Sequence, residues 1–222
     1  MHTVLVIGAS RGIGLEFVRQ YAAAGARVIA TARDGAGLAR LRELGATALK
    51  VDVADPASVS GLAWQLDGEE IDIALYVAGV WSEGGATSPP TQPEFDRVMH
   101  ANVLGAMQVI PQVAPLVAAA QGRMAFITSG LAQISTVASS LAWTYRVSKA
   151  ALNMAVAAAQ PDYPDVIMVA LSPGWVRTDM GGANASLSVE DSVAAMRRTL
   201  AGLTLADRGA FVGHDGSRFE GW

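Results

Sequence analysis

The sequence predicts a single doubly wound α/β domain, spanning residues 1–222, with helices on both faces of a mainly parallel sheet. Short β-branched runs alternate with helical segments along the whole chain, and no repeat or linker divides it. The strand-like runs are apolar throughout, as strands covered on both faces are. Hydrophobic residues make up 51% of the chain and charged residues 16%, so a large core is expected and disorder is excluded.

Seven apolar, β-branched runs predict the strands of the sheet, and the last of them is short. They lie at residues 3–7, 27–31, 47–51, 71–77, 124–128, 166–171 and 211–212. Between them, apolar residues at helical spacing and capping pairs such as Asp55-Pro56 predict helices. The helices are expected at residues 13–24, 38–44, 55–66, 95–120, 143–159 and 188–200, with a Gly-, Ser-, Thr- and Pro-rich loop at residues 79–93.

The charge and composition exclude several classes of function. A net charge of −4 gives no electrostatic basis for binding nucleic acid or an anionic membrane. No apolar run reaches the ~18 residues of a membrane-spanning helix, and residues 1–7 are typical of a first strand rather than a signal peptide. Cysteine is absent and the three histidines lack metal-ligand spacing, so we expect no disulfide, no metal and a cytoplasmic protein.

A glycine-rich turn separates the first predicted strand from the first helix. Gly8, Gly12 and Gly14 form G-x-x-x-G-x-G, which lets a pyrophosphate approach the backbone at a helix N-terminus. This position in a strand–turn–helix unit favours dinucleotide binding. The same residues satisfy G-x-S-x-G around Ser10, but the nine residues before Ser10 cannot supply the scaffold of a hydrolase nucleophile.

Tyr145 and Lys149 are four residues apart in a predicted helix, so they share one helical face. A cation held beside a phenol favours the phenolate and lowers its pKa, which would give a proton donor that is active near neutral pH. Such a pair on a solvated helix face is the structural alternative.

Further landmarks follow the glycine turn in a fixed order. They are Asp52-Val53, Ala78-Gly79, Asn102, Ser129, the Tyr145/Lys149 pair and residues 173–178. Together with the turn they resemble the short-chain dehydrogenase/reductase family over essentially the whole chain. Residues 145–153, 173–182 and 211–216 are most similar to its C-factor/sniffer-type carbonyl reductases. The resemblance implies a Rossmann sheet of order 3-2-1-4-5-6-7 and an NAD(P)(H)-dependent oxidoreductase that interconverts a carbonyl compound and its alcohol.

The resemblance also implies a role for each residue of the catalytic set. Tyr145 would be the general acid and base, and Lys149 would lower its pKa and bind the nicotinamide ribose. Ser129 would orient the substrate carbonyl, although its neighbour Thr128 is a competing candidate. Asn102 would hold a water in a proton relay behind Lys149, or would bond backbone within its own helix.

The cofactor-binding residues carried over from the family lie along the carboxyl ends of the predicted strands. They are Gly8, Ser10, Arg11, Gly12, Ile13, Gly14, Arg33, Asp52, Val53, Ala78, Gly79, Tyr145, Lys149, Pro173, Gly174, Val176 and Thr178. Arg11 and Arg33 favour NADP by pairing with a 2′-phosphate, while Asp34 leaves NAD open. The chain departs from the family at Tyr76-Val77, where two asparagines are usual; the loss of the amide at Val77 bears on cofactor affinity.

Trp143 and Trp175 are the candidate residues of the substrate pocket, because both fall near loops at the carboxyl ends of strands. The expected partner is a small carbonyl or alcohol compound. A run of small residues near Ala150 suits either a homodimer or homotetramer contact or packing on the sheet. The alternative function is a dinucleotide-binding regulatory or signalling protein of the same fold with little or no turnover.

Overall fold

A computed structural model describes residues 2–222 and contains one seven-stranded sheet in which every pairing is parallel. The strand order is β3-β2-β1-β4-β5-β6-β7, which confirms the predicted order. The strands are β1 (Thr3–Ile7), β2 (Arg27–Ala32), β3 (Thr47–Lys50), β4 (Ile73–Tyr76), β5 (Arg123–Ile127), β6 (Ile167–Ser172) and β7 (Phe211–Gly213).

Eight α-helices connect and cover these strands in the described part of the chain. They are α1 (Gly12–Ala23), α2 (Gly35–Glu43), α3 (Pro56–Ser60), α4 (Leu62–Gln65), α5 (Gln92–Met99), α6 (Gly105–Ala119), α7 (Trp143–Ala159) and α8 (Val189–Gly202). The predictions of continuous helices at residues 55–66 and 95–120 are wrong in detail. The first breaks at Gly61, a residue of low helix propensity, and the second contains a π-helical segment, His100–Leu104.

The core consists of two apolar layers, one on each face of the sheet. Successive residues of β1 point to opposite layers: Val4 and Val6 pack under α1, α2 and α8, while Leu5 and Ile7 pack under α3, α4, α6 and α7. All four are fully buried. Because both faces are covered, the strand lacks the alternation of polar and apolar residues that a half-exposed sheet shows.

The helical stretch Gln92–Ala119 is long and apolar enough to cross a membrane by length and composition. Of its most apolar part, 56% is buried inside the protein. Val109, Val113 and Val117 are fully buried. It is therefore a core helix of this domain.

The strands place four connecting segments at one edge of the sheet. Gly8 follows β1, Ala78 follows β4, Ser129 follows β5 and Pro173 follows β6. The chain passes from β1 to a helix on one face and from β4 to helices on the other face, so a crevice opens between these two central strands.

Candidate active site

The glycine loop is packed so tightly that it excludes side chains at two positions. Gly8 has φ +86°, and a Cβ there would lie 2.6 Å from the backbone of Ala78. A Cβ on Gly14 would lie 2.3 Å from the carbonyl oxygen of Gly8. The loop backbone therefore lies directly against the end of β4, with the open crevice in front of it.

The N-terminus of α1 has no side-chain cap. Its N-cap residue is Arg11, which accepts no hydrogen bond from the first turn, whereas Asp34, Thr91 and Ser188 cap α2, α5 and α8 through their side chains. The first turn of α1 thus leaves backbone N–H groups without a side-chain acceptor. This arrangement fits a dinucleotide pyrophosphate, since an anion at a helix N-terminus is bound by such groups and by the helix dipole.

Lys149 is buried on α7, and its side chain reaches the end of β5. Its Nζ donates a hydrogen bond of 2.8 Å to the carbonyl of Ile127, and it lies 3.3 Å from the position that a Cβ on Gly79 would occupy. Burial lowers the pKa of Lys149 to about 8. Gly79 gives the ammonium access to the end of β4, because a larger residue there would press against it.

Tyr145 lies on the same face, one turn before Lys149. The Lys149 Nζ is 5.7 Å from the centroid of its ring. Burial raises the pKa of Tyr145 to about 12, and a hydrogen bond with Ser129 partly opposes this rise. Loss of hydration is thus the main influence on this phenol, and the lowering of its pKa by Lys149 stays a prediction.

Ser129 follows β5 and begins a short 3₁₀ helix, Gly130–Ala132, where its hydroxyl accepts a bond of 3.1 Å from the N–H of Leu131. The same side chain lies near the phenol of Tyr145 and lowers its pKa. Thr128 instead donates to the carbonyl of Lys149 at 3.4 Å and is buried. Of the two competing hydroxyls, the structure places Ser129 beside the phenol.

Asn102 is fully buried in the π-helical segment and bonds outside its own helix. Its Oδ1 accepts from the N–H of Val80 at 2.7 Å, and its Nδ2 donates to the Val80 carbonyl at 3.0 Å and to Ser148 Oγ at 2.9 Å. Ser148 Oγ in turn donates to the carbonyl of Tyr145 at 2.7 Å. Asn102 therefore joins the loop after β4 to the helix that carries Tyr145 and Lys149.

Two arginines, Arg11 and Arg40, lie at the glycine loop. Arg11 pairs with Asp179 at 3.1 Å, and Arg40, which the sequence analysis did not select, donates to the carbonyl of Ser10 at 3.2 Å. Arg33 is exposed. Asp34 caps α2 by accepting from the N–H of Gly37 at 2.7 Å, so its carboxylate is committed to the helix.

Asp52 and Val53, two further predicted cofactor residues, follow β3. The Asp52 carboxylate accepts from the N–H of Ala54 at 3.0 Å, and Val53 packs on Gly105 below it. No cluster of three or more His, Asp or Glu side chains suited to a metal occurs among residues 2–222.

The segment after β6 bends over the glycine loop. Gly174 adopts φ +78°, and Val176 pairs with Leu187 to close a short excursion of the chain. Thr178 accepts from the N–H of Gly181 at 3.0 Å, and its methyl group lies 3.6 Å from the Cβ position of Gly12. We refer to residues 176–187 as the flap.

The two predicted pocket tryptophans occupy different positions. Trp143 begins α7, two residues before Tyr145, and is 40% exposed. Trp175 donates from Nε1 to the carbonyl of Gly181 at 2.8 Å, so it braces the flap. Trp81, which was not selected, has its ring centroid 4.7 Å from that of Tyr145 and is the aromatic side chain nearest to the phenol.

The family model described as short chain dehydrogenase matches residues 2–187. This chain belongs to the short-chain dehydrogenase family. The C-signal protein of Myxococcus xanthus is 36% identical over 150 residues, covering 66% of this chain and 90% of that protein. A 1-hydroxy-2-glutathionyl-2-methyl-3-butene dehydrogenase of Rhodococcus sp. strain AD45 is 33% identical and covers 98% of each chain.

Solved structures of short-chain dehydrogenases have the same fold. One from Burkholderia multivorans, described as having bound NADP, is 28% identical with a TM-score of 0.86 and covers 100% of this chain and 99% of its own. The carbonyl reductase Sniffer of D. melanogaster covers 100% of both chains with a TM-score of 0.89 at 24% identity. The resemblance to the short-chain dehydrogenase/reductase family is confirmed, and a carbonyl reductase is among the proteins that share its fold.

The sequence analysis missed three residues that this short-chain dehydrogenase places around the site. They are Trp81, Ser148 and Arg40. Helical spacing offered a signal for Ser148, since it lies between Tyr145 and Lys149 and three residues after the first. Trp81 falls near a loop at the carboxyl end of a strand, but that position alone did not distinguish it from the other tryptophans. Arg40 gave no local signal, because the approach of α2 to the glycine loop positions it.

Proposed function

We propose that this short-chain dehydrogenase interconverts a carbonyl compound and its alcohol, with Tyr145 as general acid and base and with NADP(H) as the preferred cofactor. One observation carries the proposal. Tyr145, whose phenol lies near Ser129 and whose ring centroid is 5.7 Å from the buried ammonium of Lys149, lies at the sheet edge where the uncapped glycine loop opens. Such a set can deliver and accept a proton next to a bound dinucleotide.

The dinucleotide, when bound, supplies the hydride that adds to the carbonyl carbon. In that direction Tyr145 gives its phenolic proton to the carbonyl oxygen, and the Ser129 hydroxyl donates a second hydrogen bond to the same oxygen as negative charge develops. In the reverse direction Tyr145 removes the proton from the alcohol. The raised pKa keeps the phenol protonated at neutral pH, as reduction requires.

Lys149 supports the proton transfer from behind. With a pKa of about 8, Lys149 is positively charged in most molecules at pH 7. This charge stabilises the phenolate that is left when Tyr145 loses its proton. It would also hold the nicotinamide ribose. Asn102 would order a water behind Lys149 for reprotonation; both protons of its amide are already engaged, so the water must donate to an oxygen of this residue.

Preference for NADP(H) follows from the charges around the outer crevice. One carboxylate oxygen of Asp34 is occupied as a helix cap, while Arg11 and Arg40 lie at the glycine loop and Arg33 is exposed just after β2. Guanidinium groups bind phosphate through paired donors. The NADP-bound relative from Burkholderia multivorans supports this choice.

The cofactor proposal is tested by KM values for NADPH and NADH. Arg33→Ala should raise the KM for NADPH about tenfold or more while that for NADH stays within twofold, the size expected for a lost charge-assisted contact. Arg42→Ala is the matched control, since Arg42 is also exposed and lies in the last turn of α2. Equal effects of Arg33→Ala on both cofactors would contradict the assignment.

The catalytic proposal is tested by Tyr145→Phe in a panel of aldehydes and ketones monitored at the cofactor absorbance. We expect kcat to fall about 10²- to 10⁴-fold, the contribution of general acid catalysis, with NADPH affinity retained in a fluorescence titration. Tyr163→Phe removes a hydroxyl outside the crevice and should keep full activity. Retained turnover in Tyr145→Phe would refute the mechanism.

A second candidate function is regulatory, and the name of the C-signal relative favours it. In that case the chain would bind a dinucleotide and act through a protein contact with little turnover. NADPH binding without cofactor oxidation across the whole carbonyl panel would support this alternative over the enzyme.

Assembly and location stay predictions. A homodimer or homotetramer would use the outer face of α7, where Val147 and Met154 are exposed while the opposite face packs on the sheet. Analytical ultracentrifugation of the wild type and of Met154→Glu tests this, since a charge in the contact should shift the protein to monomer. The predicted cytoplasmic location is tested by cell fractionation.

A further inference from the structure

Tyr76 ends β4 at the position where the family resemblance leads one to expect asparagine, and it is fully buried. Its ring packs against Phe126, with 5.9 Å between centroids. Its hydroxyl donates a hydrogen bond of 2.8 Å to the carbonyl of Ala101. Burial raises the pKa of Tyr76 well above its ordinary value, so the hydroxyl remains a neutral donor.

The fold reserves space for this hydroxyl. A Cβ on Gly105 would lie 2.6 Å from Tyr76 Oη and equally close to the carbonyl oxygen of Val53. No side chain larger than glycine fits there without displacing the phenol or the loop after β3. The contact between Tyr76 and this helical stretch thus also depends on glycine at position 105.

The carbonyl that Tyr76 contacts belongs to the π-helical segment His100–Leu104. A π turn widens the helix by one residue and is less favourable than α-helix, so it persists where other contacts stabilise it. The buried bond from Tyr76 is such a contact. It fixes Ala101, the residue immediately before Asn102.

Asn102 carries this restraint to the catalytic helix. Its amide bonds both backbone groups of Val80 and the hydroxyl of Ser148, and Ser148 bonds the carbonyl of Tyr145. The position that a Cβ on Gly79 would occupy lies 3.2 Å from Asn102 Oδ1 and 3.3 Å from Lys149 Nζ. Asn102 and Lys149 therefore both approach Gly79. A rotation of the π turn would therefore break contacts on both sides of the site.

We propose that Tyr76 is a positioning residue that locks the π turn and thereby orients Asn102 toward Lys149 and the helix that carries Tyr145. It touches neither substrate nor cofactor. The proposal rests on the proposed function for its kinetic consequence, whereas its structural part concerns the contacts of Asn102 alone.

The test is Tyr76→Phe, which removes the hydroxyl and keeps the ring. We expect kcat to fall about five- to tenfold, in proportion to one lost buried hydrogen bond, with the KM for NADPH within twofold. Tyr21→Phe is the matched control, because it removes the hydroxyl of a buried tyrosine in the opposite core layer. If Tyr76 contributed only to stability, both variants would lower the melting temperature and leave kcat unchanged.

A double-mutant cycle with Asn102→Ala identifies the route of the effect. If Tyr76 acts through Asn102, adding Tyr76→Phe to Asn102→Ala should change kcat by less than twofold. Two effects that multiply in full would overturn the proposal.

A readout without turnover separates this proposal from the proposed function. In ¹H–¹⁵N spectra, the side-chain amide signals of Asn102, assigned by their loss in Asn102→Ala, should shift in Tyr76→Phe and stay in place in Tyr21→Phe. Unshifted signals in Tyr76→Phe would overturn the positioning role. If the wild type showed no turnover while Tyr76→Phe still shifted the Asn102 signals, the proposed enzymatic function would be refuted and the positioning role of Tyr76 would be supported.

Discussion

Replacing Lys149 by methionine should change how the stability of this protein depends on pH. The side chain is 4% exposed, and burial lowers its pKa from 10.5 to about 8. At about 1.4 kcal/mol per pKa unit, this shift corresponds to about 3 kcal/mol by which the charged form opposes folding. Methionine fills a similar volume and carries no charge, so it removes this cost together with the hydrogen bond to Ile127.

The sign of the effect follows from the protons bound in each state. Between pH 8 and 10.5 the unfolded chain holds a proton on Lys149 that the folded chain has released, so the free energy of unfolding rises with pH. Below pH 8 the cost is fully present, and above pH 10.5 it is gone. From pH 7 to 10 the wild type should gain about 2–3 kcal/mol relative to Lys149→Met.

Urea denaturation of the apo protein at several pH values measures this difference, and the sequence provides the control. Its other lysine, Lys50, is exposed, so Lys50→Met should follow the wild-type pH dependence. Tyr145, with a pKa of about 12, stays protonated over this pH range. Parallel curves for the wild type and Lys149→Met would show that the pKa of Lys149 is not lowered and would refute the reasoning.

Three other changes test separate parts of the site. Gly14→Ala should abolish NADPH binding in a fluorescence titration, because its Cβ would lie 2.3 Å from the carbonyl of Gly8; binding within twofold of wild type would contradict this packing. Trp81→Ala should raise the KM for aromatic ketones several-fold with little change in NADPH affinity, since the indole borders Tyr145. Ser188→Ala should lower the free energy of unfolding by about 1 kcal/mol in urea through loss of the α8 cap, without affecting kcat.

The sequence predicts the fold and the catalytic pair because their signals are local or periodic. The apolar runs that become β1 and β6, the glycine loop and the spacing of Tyr145 and Lys149 each follow from neighbours along the chain. The strand order came from the family resemblance rather than from the periodicity.

The features that sequence reasoning missed depend on contacts between distant segments. The π turn at Asn102 is contacted by the hydroxyl of Tyr76, which comes from β4. A contact between segments so far apart leaves no periodic pattern in the sequence. Trp81 lies in a loop, and Arg97 fixes this loop by donating a hydrogen bond of 2.8 Å to the backbone carbonyl of Trp81. The sign of the pKa shift at Tyr145 depends on burial, which the i, i+4 pattern does not reveal.

The flap joins the glycine loop through an ion pair that is open to solvent on both sides. Arg11 and Asp179 are each more than 70% exposed, and such pairs contribute about 0–1 kcal/mol and weaken with salt. A contact this weak opens and closes without disturbing the core, so it sets no large barrier to the passage of a nucleotide. Higher ionic strength would weaken this contact further, so the flap would separate from the glycine loop more readily in concentrated salt.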